Sequence, residues 1–119
     1  MTITAGQLLY KDTASLDASG NPKLRLVDVD AGTALAATIA GVSLHAALAD
    51  QPITYQTAGS YTHGGASTLA LVYIAGATAA GDINPASDLT TNWRCSVWGV
   101  ATSTTVIQIG IINSGAIKA

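Results

Sequence analysis

The feature that most constrains the fold lies near the C-terminus, in the stretch Thr105-Val-Ile-Gln-Ile-Gly-Ile-Ile. Successive side chains of an extended strand point to opposite faces, so Ile107, Ile109 and Ile111 would share one face. The other face would carry Val106, Gln108, Gly110 and Ile112. Three isoleucines on one side predict a β-strand whose isoleucine face lies in the core.

The rest of the chain favours strands because it lacks the residues that build amphipathic helices. Only 10% of the 119 residues are charged, and all the acidic residues are aspartates. An amphipathic helix needs a polar face, for which Glu, Lys and Arg are the common choices. We therefore predict an all-β fold, a small single-domain β-barrel or β-sandwich spanning residues 1–119. The predicted strands are residues 2–10, 23–28, 38–44, 51–57, 69–75, 94–101 and 105–112.

Residues 33–50 fit two structures. Leu35, Ile39 and Val42 would line one face of a helix, and alanine, which is frequent here, favours helices. Gly41 would interrupt that helix, however. We therefore predict a strand within this stretch, with at most a short helical turn at residues 31–37.

Two parts of the chain share a series of features, which predicts an internal pseudo-repeat of residues 5–60 and 68–116. A tyrosine is followed at the same distance by Asn-Pro in both: Tyr10 by Asn21-Pro22, and Tyr73 by Asn84-Pro85. A Gly-Val step and an alternating stretch come later in each part. Repeats of about 60 residues usually bury one common core.

The charge and hydropathy patterns argue against nucleic-acid binding, secretion and membrane insertion. The five basic residues are spread along the chain, so there is no patch for nucleic acid. The N-terminal stretch MTITAGQLLY lacks the basic and apolar regions of a signal peptide. No stretch reaches the roughly 18 apolar residues of a membrane span. We expect synthesis in a cytoplasm and no nucleic-acid or membrane partner.

The same composition favours self-association. A net charge of −2 provides little repulsion between copies, and 49% of the residues are hydrophobic. Burial of part of this apolar surface against another subunit would resolve the excess.

The loop Gly76–Gly81 has the spacing of a phosphate-binding loop but not its chemistry. Such a loop needs Lys and then Ser or Thr after the second glycine, and Asp82 and Ile83 stand there instead. A carboxylate at that position would repel phosphate. The loop is predicted to be a turn between two strands, so we expect no nucleotide cofactor.

Other candidate sites are equally incomplete. Asp28-Val-Asp30 begins like a calcium loop, but a third acid and the closing glutamate are missing, so it predicts a solvated turn and no metal site. His45 and His63 have no ligand partner nearby in the sequence, and the G-x-S-x-G elbow of a serine hydrolase is absent. The one cysteine, Cys95, is expected to be a buried structural thiol. We expect no catalytic residue.

The two tryptophans differ in the face that strand alternation assigns to them. Trp93 would lie on the side of Cys95, and Trp98 on the opposite side. At most one of them is therefore expected in the core, and the other is a candidate anchor in an interface, where aromatic residues carry much of the binding energy.

The whole chain resembles the capsid decoration (cement) proteins of tailed bacteriophages. The stretches that carry the resemblance are GQLLYKD, LVDVDAGTALAATIAGV, QPITYQTAG, VYIAGATAAGDINPASDL and WGVATSTTVIQIGIINSGA. One departure is AGSYTHGGASTLA before the second half, which has the character of an insertion.

The resemblance implies a non-enzymatic, β-rich virion protein, made in the bacterial cytoplasm and bound to the capsid surface. It would form a homotrimer and clamp major capsid protein subunits together. Residues 1–7 could act as a flexible arm that adds a strand to the coat protein. The interface residues expected on this basis are Met1, Thr2, Ile3, Thr4, Tyr61, His63, Trp93 and Trp98. The alternative is a head-fibre or tail-associated module that binds carbohydrate or a receptor, with Trp93, Trp98, Tyr61 or Tyr55 as its stacking surface.

Overall fold

The computed structural model describes residues 3–30, 35–48, 51–63, 71–76 and 80–118. Within these ranges the chain forms β-strands and two short 3₁₀ turns, at Leu35–Ala37 and Ala86–Asp88. The strands are β1 (Leu8–Leu16), β2 (Pro22–Leu26), β3 (Gly41–Ser43), β4 (Tyr55–Gln56), β5 (Gly59–Thr62), β6 (Val72–Ala75), β7 (Ile83–Pro85), β8 (Arg94–Ala101) and β9 (Val106–Ile117).

The strands form two antiparallel sheets that enclose one core. The four-stranded sheet has the order β2-β1-β3-β4, and the five-stranded sheet has the order β5-β9-β8-β6-β7. The core draws side chains from both sheets. Its buried members include Leu8, Val27, Val42, Trp98, Ile107 and Ile109. The predicted all-β, single-domain fold is confirmed.

The C-terminal hairpin agrees best with the sequence prediction. β8 has the predicted bounds, and β9 begins one residue later than predicted but continues to Ile117. Ile107 and Ile109 are buried whereas Gln108 is exposed, as alternation predicts. The short helical turn is confirmed at Leu35–Ala37, while residues 31–34 lie outside the described residues.

The N-terminal strand was placed wrongly. It was predicted at residues 2–10, but β1 starts at Leu8 and continues to Leu16. Gly6 adopts a φ of 82°, which breaks an extended chain just before Leu8. The short edge strands β5 and β7 were not predicted, because neither contains an alternation of apolar and polar residues.

Polar contacts tie the two sheets together at several points. The N–H of Gly81 donates to the carbonyl of Val27 at 2.7 Å, and its own carbonyl accepts from the N–H of Leu8 at 2.9 Å. Ser96, buried on β8, donates its hydroxyl to the carbonyl of Ala37. These bonds fix the turn before β7 against β1 and the end of β2, and they hold β8 against the 3₁₀ turn at Leu35–Ala37.

The two sheets share a connection pattern. The order β2-β1-β3-β4 corresponds to β7-β6-β8-β9, since in each case a hairpin is followed by a strand beside its first strand. Val42 pairs with Gln56, and Val100 pairs with Gln108, so the Gly-Val steps occupy the same register.

The two Asn-Pro pairs occupy different positions in their hairpins. Pro22 pairs with Leu16 at the tip of its hairpin, whereas Pro85 pairs with Tyr73 at the far end of its hairpin. The pseudo-repeat stays a prediction, supported by strand order and by the Gly-Val register rather than by Asn-Pro.

Candidate interaction surface

The charged residues of the strands are concentrated in one sheet. β1 and β2 carry Lys11, Asp12, Lys23 and Arg25. The five strands of the other sheet carry one charged residue, Arg94 at the start of β8. The surface of the five-stranded sheet is therefore close to neutral along its described strands.

A row of four paired residues crosses the outer side of this sheet. Val72 pairs with Val100, Val100 with Gln108, and Gln108 with Ser60. Directly paired residues have side chains on the same face, and the Ser60 hydroxyl donates to Oε1 of Gln108 at 3.1 Å. Val72 is 37% and Val100 40% exposed. We call Ser60, Val72, Val100 and Gln108 the neutral face.

The neutral face is suited to binding a protein rather than to chemistry. Its two valines offer apolar area, while Ser60 and Gln108 offer hydrogen-bonding groups without charge. Such a surface desolvates at little electrostatic cost. Strand alternation predicts Gln108 on the outer side of its strand. It does not identify Val72 and Val100, because strand order is needed to place them in one row with Gln108.

The N-terminal residues do not form the free arm that was expected. Ser43 binds them through its main chain. Its side chain binds them too: the hydroxyl accepts from the N–H of Gln7 at 3.0 Å and donates to the carbonyl of Thr4 at 2.6 Å. Ile3 is buried and pairs with Ala47 through two main-chain bonds of 2.9 Å. The arm prediction is wrong for residues 3–7, which are held against β3 and the segment after it.

Of the other expected interface residues in this segment, Thr4 is exposed, and its N–H donates to Oε1 of Gln7 at 2.8 Å. Met1 and Thr2 lie outside the described residues.

Both tryptophans belong to the core, so the expectation that at most one would do so is wrong. Trp98 is 0% and Trp93 8% exposed. Trp93 precedes the first residue of β8 and is held by main-chain bonds to Thr90 and Lys118, so strand alternation does not govern its direction. Neither indole offers an exposed anchor to a partner.

Tyr61 and His63 lie beside the core rather than on the neutral face. Tyr61 pairs with Ile107, and its ring meets that of Trp98 edge-on with the ring centres 5.6 Å apart. Burial raises the pKa of its hydroxyl. His63 is half-buried, and its N–H donates to the carbonyl of Thr105 at 2.9 Å. Both residues fasten the end of β5 to the hairpin between β8 and β9.

A groove of about 750 Å³ lies between the β1–β2 hairpin and the segment before β4. Exposed Leu16 and Leu48 line it, together with Lys23 and Arg25. Nε of Arg25 is 2.7 Å from Oδ2 of Asp12 and is thus paired. Sequence reasoning did not find this groove, because its walls come from segments far apart in the chain.

The candidate chemical sites rejected from the sequence show turn contacts where they are described. Asp28 accepts the N–H of Asp30 on a side-chain oxygen at 3.0 Å, which confirms the turn prediction. Gly76 bonds through its N–H to the carbonyl of Asp82, and residues 77–79 lie outside the described residues.

Cys95 is half-buried rather than buried, as had been expected. Among the described residues no group of three or more His, Cys, Asp or Glu is placed to hold a metal ion.

Comparison of the chain with protein-family models, with curated proteins and with solved structures found no match. None of the helical segments in the described ranges has the length and apolarity that a membrane crossing requires.

Proposed function

We propose that this chain is a non-enzymatic structural protein of a bacteriophage virion. It binds the outer surface of the capsid and stabilises contacts between major capsid protein subunits. The observation that carries the proposal is the neutral face, an exposed and uncharged row across four strands of one sheet. The stretches that resemble decoration proteins include Val72, Val100 and Gln108.

The contacts between the five-stranded sheet and the rest of the fold support this role. The turn at Gly81 is bonded to Leu8 and Val27, and Ser96 on β8 is bonded to the 3₁₀ turn at Leu35–Ala37. A preorganised surface loses little conformational entropy when it binds, so more of the contact energy remains as affinity.

Clamping of a shell requires several contacts per particle. One neutral face is small, so its contact with a coat subunit is weak by itself. When one assembly of this chain contacts several coat subunits, the later contacts form at high effective concentration. The homotrimer implied by the resemblance would supply such multivalency on the virion surface.

Binding to shells tests the proposal. The full chain is mixed with expanded, undecorated shells of the major capsid protein from the same viral genome, and the two are sedimented together. We expect saturable co-sedimentation and an increase in the temperature at which the shells open. Absence of co-sedimentation by the folded chain would overturn the proposal.

Matched variants then test the neutral face. Val100→Glu places a charge in the middle of it, and we expect at least about a tenfold loss of affinity for shells, which corresponds to the burial of an unpaired charge. Leu16→Glu is the control, because Leu16 is also exposed but lies on the four-stranded sheet. Equal affinities of the two variants would place the contact elsewhere on the chain.

The alternative, a carbohydrate- or receptor-binding module of a fibre or tail, needs exposed aromatic rings for stacking. Trp93 and Trp98 are buried, while Tyr55 and Tyr61 are half-buried. The described surface therefore favours a protein partner over a sugar.

A further inference from the structure

The outer edge of β2 forms one wall of the groove between the β1–β2 hairpin and the segment before β4. Four consecutive residues of this strand, Pro22 to Arg25, line the groove. Successive side chains of a strand point to opposite faces, so a wall of consecutive residues is the edge of the strand rather than one of its faces. β2 is the outermost strand of its sheet and, with five residues, the longest edge strand in the described part of the chain.

The main chain of β2 presents unpaired polar groups at Leu24. The N–H of Val27 donates to the carbonyl of Leu8 on β1 at 2.9 Å, and the carbonyl of Leu9 accepts from the N–H of Ala40, on the other side of β1, at 2.7 Å. Because the main-chain groups of a strand alternate in direction, the N–H and the carbonyl of Leu24 point away from β1. No described residue bonds to them on that side.

β2 is regular over its whole length. The register shift of the β1–β2 hairpin falls between Asp12 and Leu16 of β1, whose partners Lys23 and Pro22 are neighbours in β2. The extra residues therefore bulge from β1 and leave the edge of β2 continuous. Pro22 is the first residue of the strand, where the missing N–H of proline removes no bond from the middle of the ladder.

The edge of β2 is basic. Lys23 and Arg25 lie two residues apart, on one face of the strand, and both line the groove. Nε of Arg25 binds Asp12, which engages one of the guanidinium donors, and the Arg25 side chain is still 42% exposed. Asp17 is the one acidic residue among the described residues that line the groove, and its carboxylate accepts two main-chain N–H groups of the hairpin turn at 2.9 Å each.

We propose that β2 accepts an additional strand in this groove, an extended segment of another protein in which acidic and apolar residues alternate. Main-chain bonds to Leu24 would supply affinity, and acidic side chains opposite Lys23 and Arg25 would supply specificity. The apolar side chains would contact Leu24 and the uncharged opposite wall, which includes Leu48 and Ile53.

A second copy of this chain fits the edge less well than an acidic strand does. In a contact between two β2 strands, Lys23 and Arg25 would meet the same basic residues of the other copy, and like charges opposite one another destabilise a pair of strands. The groove is separate from the neutral face, so the inference does not depend on the proposed function.

A designed peptide tests the proposal. The probe is an end-capped, fluorescently labelled peptide of about seven residues in which valine and aspartate alternate, close to the usual length of a strand. In the control peptide, lysine replaces each aspartate. We expect saturable binding of the aspartate peptide to the full chain by fluorescence anisotropy, and at least about tenfold weaker binding of the lysine peptide. No saturable binding, or equal binding of both peptides, would overturn the proposal.

Charge reversal places the contact on β2. Lys23→Glu should bind the aspartate peptide at least about tenfold more weakly than the wild-type chain does, and it should bind the lysine peptide more tightly, a gain that a misfolded chain could not show. Lys118→Glu makes the same change at an exposed lysine outside the groove and should leave the preference for aspartate unchanged. An unaltered preference in Lys23→Glu would overturn the proposal.

Methylation of main-chain nitrogens in the aspartate peptide tests the addition of a strand. A strand pairs with β2 along one of its edges, and alternate residues point their N–H groups to that edge. Methylation at one alternate set of residues should therefore abolish binding, while methylation at the other set should leave it. Any other pattern would overturn the pairing with β2.

Discussion

The side-chain amide of Asn113 on β9 binds the main chain of Ile39 at both of its polar groups. Oδ1 accepts from the N–H of Ile39 at 2.8 Å, and Nδ2 donates to the carbonyl of Ile39 at 3.1 Å. The amide thus joins the five-stranded sheet to the segment that leads into β3. Carbonyl and NH₂ groups are both needed for this contact.

Replacement of Asn113 by aspartate should therefore destabilise the fold. The carboxylate retains an acceptor for the Ile39 N–H but presents a second acceptor to the Ile39 carbonyl, so we expect a loss of about 1–2 kcal/mol. Urea unfolding at neutral pH measures it. Gln108→Glu makes the same amide-to-carboxylate change on the exposed side of β9 and should cost less. Equal losses would show that the Asn113 bonds contribute nothing specific.

Alanine substitution should destabilise the fold at Gly41 and Gly99 but not at Gly110. A Cβ at Gly41 would lie 2.5 Å from the carbonyl oxygen of Gln56, and one at Gly99 would meet the carbonyl oxygen of Gln108. A Cβ at Gly110 would have no atom within 4 Å. We expect Gly41→Ala and Gly99→Ala to lose more than about 2 kcal/mol of unfolding free energy because the strands must separate.

Gly110→Ala is the control for this series. Its alanine removes freedom from the unfolded chain without a clash, so the unfolding free energy should stay the same or rise by about 0.5 kcal/mol. Thermal and urea unfolding of the three variants provides the comparison. A stable Gly99→Ala chain would contradict the close approach of β8 and β9 at this position.

The sequence predicted the strands in which apolar and polar residues alternate and missed those that depend on a distant partner. β8 and β9 followed from alternation around Ile107 and Ile109. β5, at Gly59–Thr62, has no alternation and becomes a strand because β9 lies beside it. Trp93 was assigned a face by counting along a strand that begins only at Arg94.

The candidate surface was harder to predict from the sequence than the fold was. No residue of the neutral face belongs to a recognisable local motif, and only the order β5-β9-β8-β6 brings Ser60, Gln108 and Val72 into one row.

Stability should decrease at alkaline pH because of Tyr61. Burial raises its pKa above the ordinary value of 10.0. Between 10.0 and the raised pKa, the unfolded chain releases this proton while the folded chain retains it, so the free energy of unfolding falls as pH rises through that window. Below it, Tyr61 is neutral in both states and stability is unaffected.

Tyr61→Phe removes this titration and should reduce the alkaline loss of stability, measured by urea unfolding between about pH 8 and pH 11. Part of the loss should persist, because burial, with Asp12 and Asp28 nearby, also raises the pKa of Tyr10, although Arg25 acts in the opposite direction. Tyr10→Phe combined with Tyr61→Phe should reduce it further. An unchanged pH dependence in the double variant would contradict the assignment.

The burial of both indoles predicts the fluorescence of the folded chain. Trp98 is fully buried and in edge-on contact with Tyr61, and Trp93 is 8% exposed. Their emission should be blue-shifted from that of the urea-unfolded chain, and iodide, which quenches only accessible rings, should have little effect before unfolding. Trp93→Phe isolates Trp98 and should leave the emission with the weakest quenching. Strong quenching of the folded wild-type chain would mean that an indole is exposed, and it would restore the aromatic stacking surface that a carbohydrate-binding module requires.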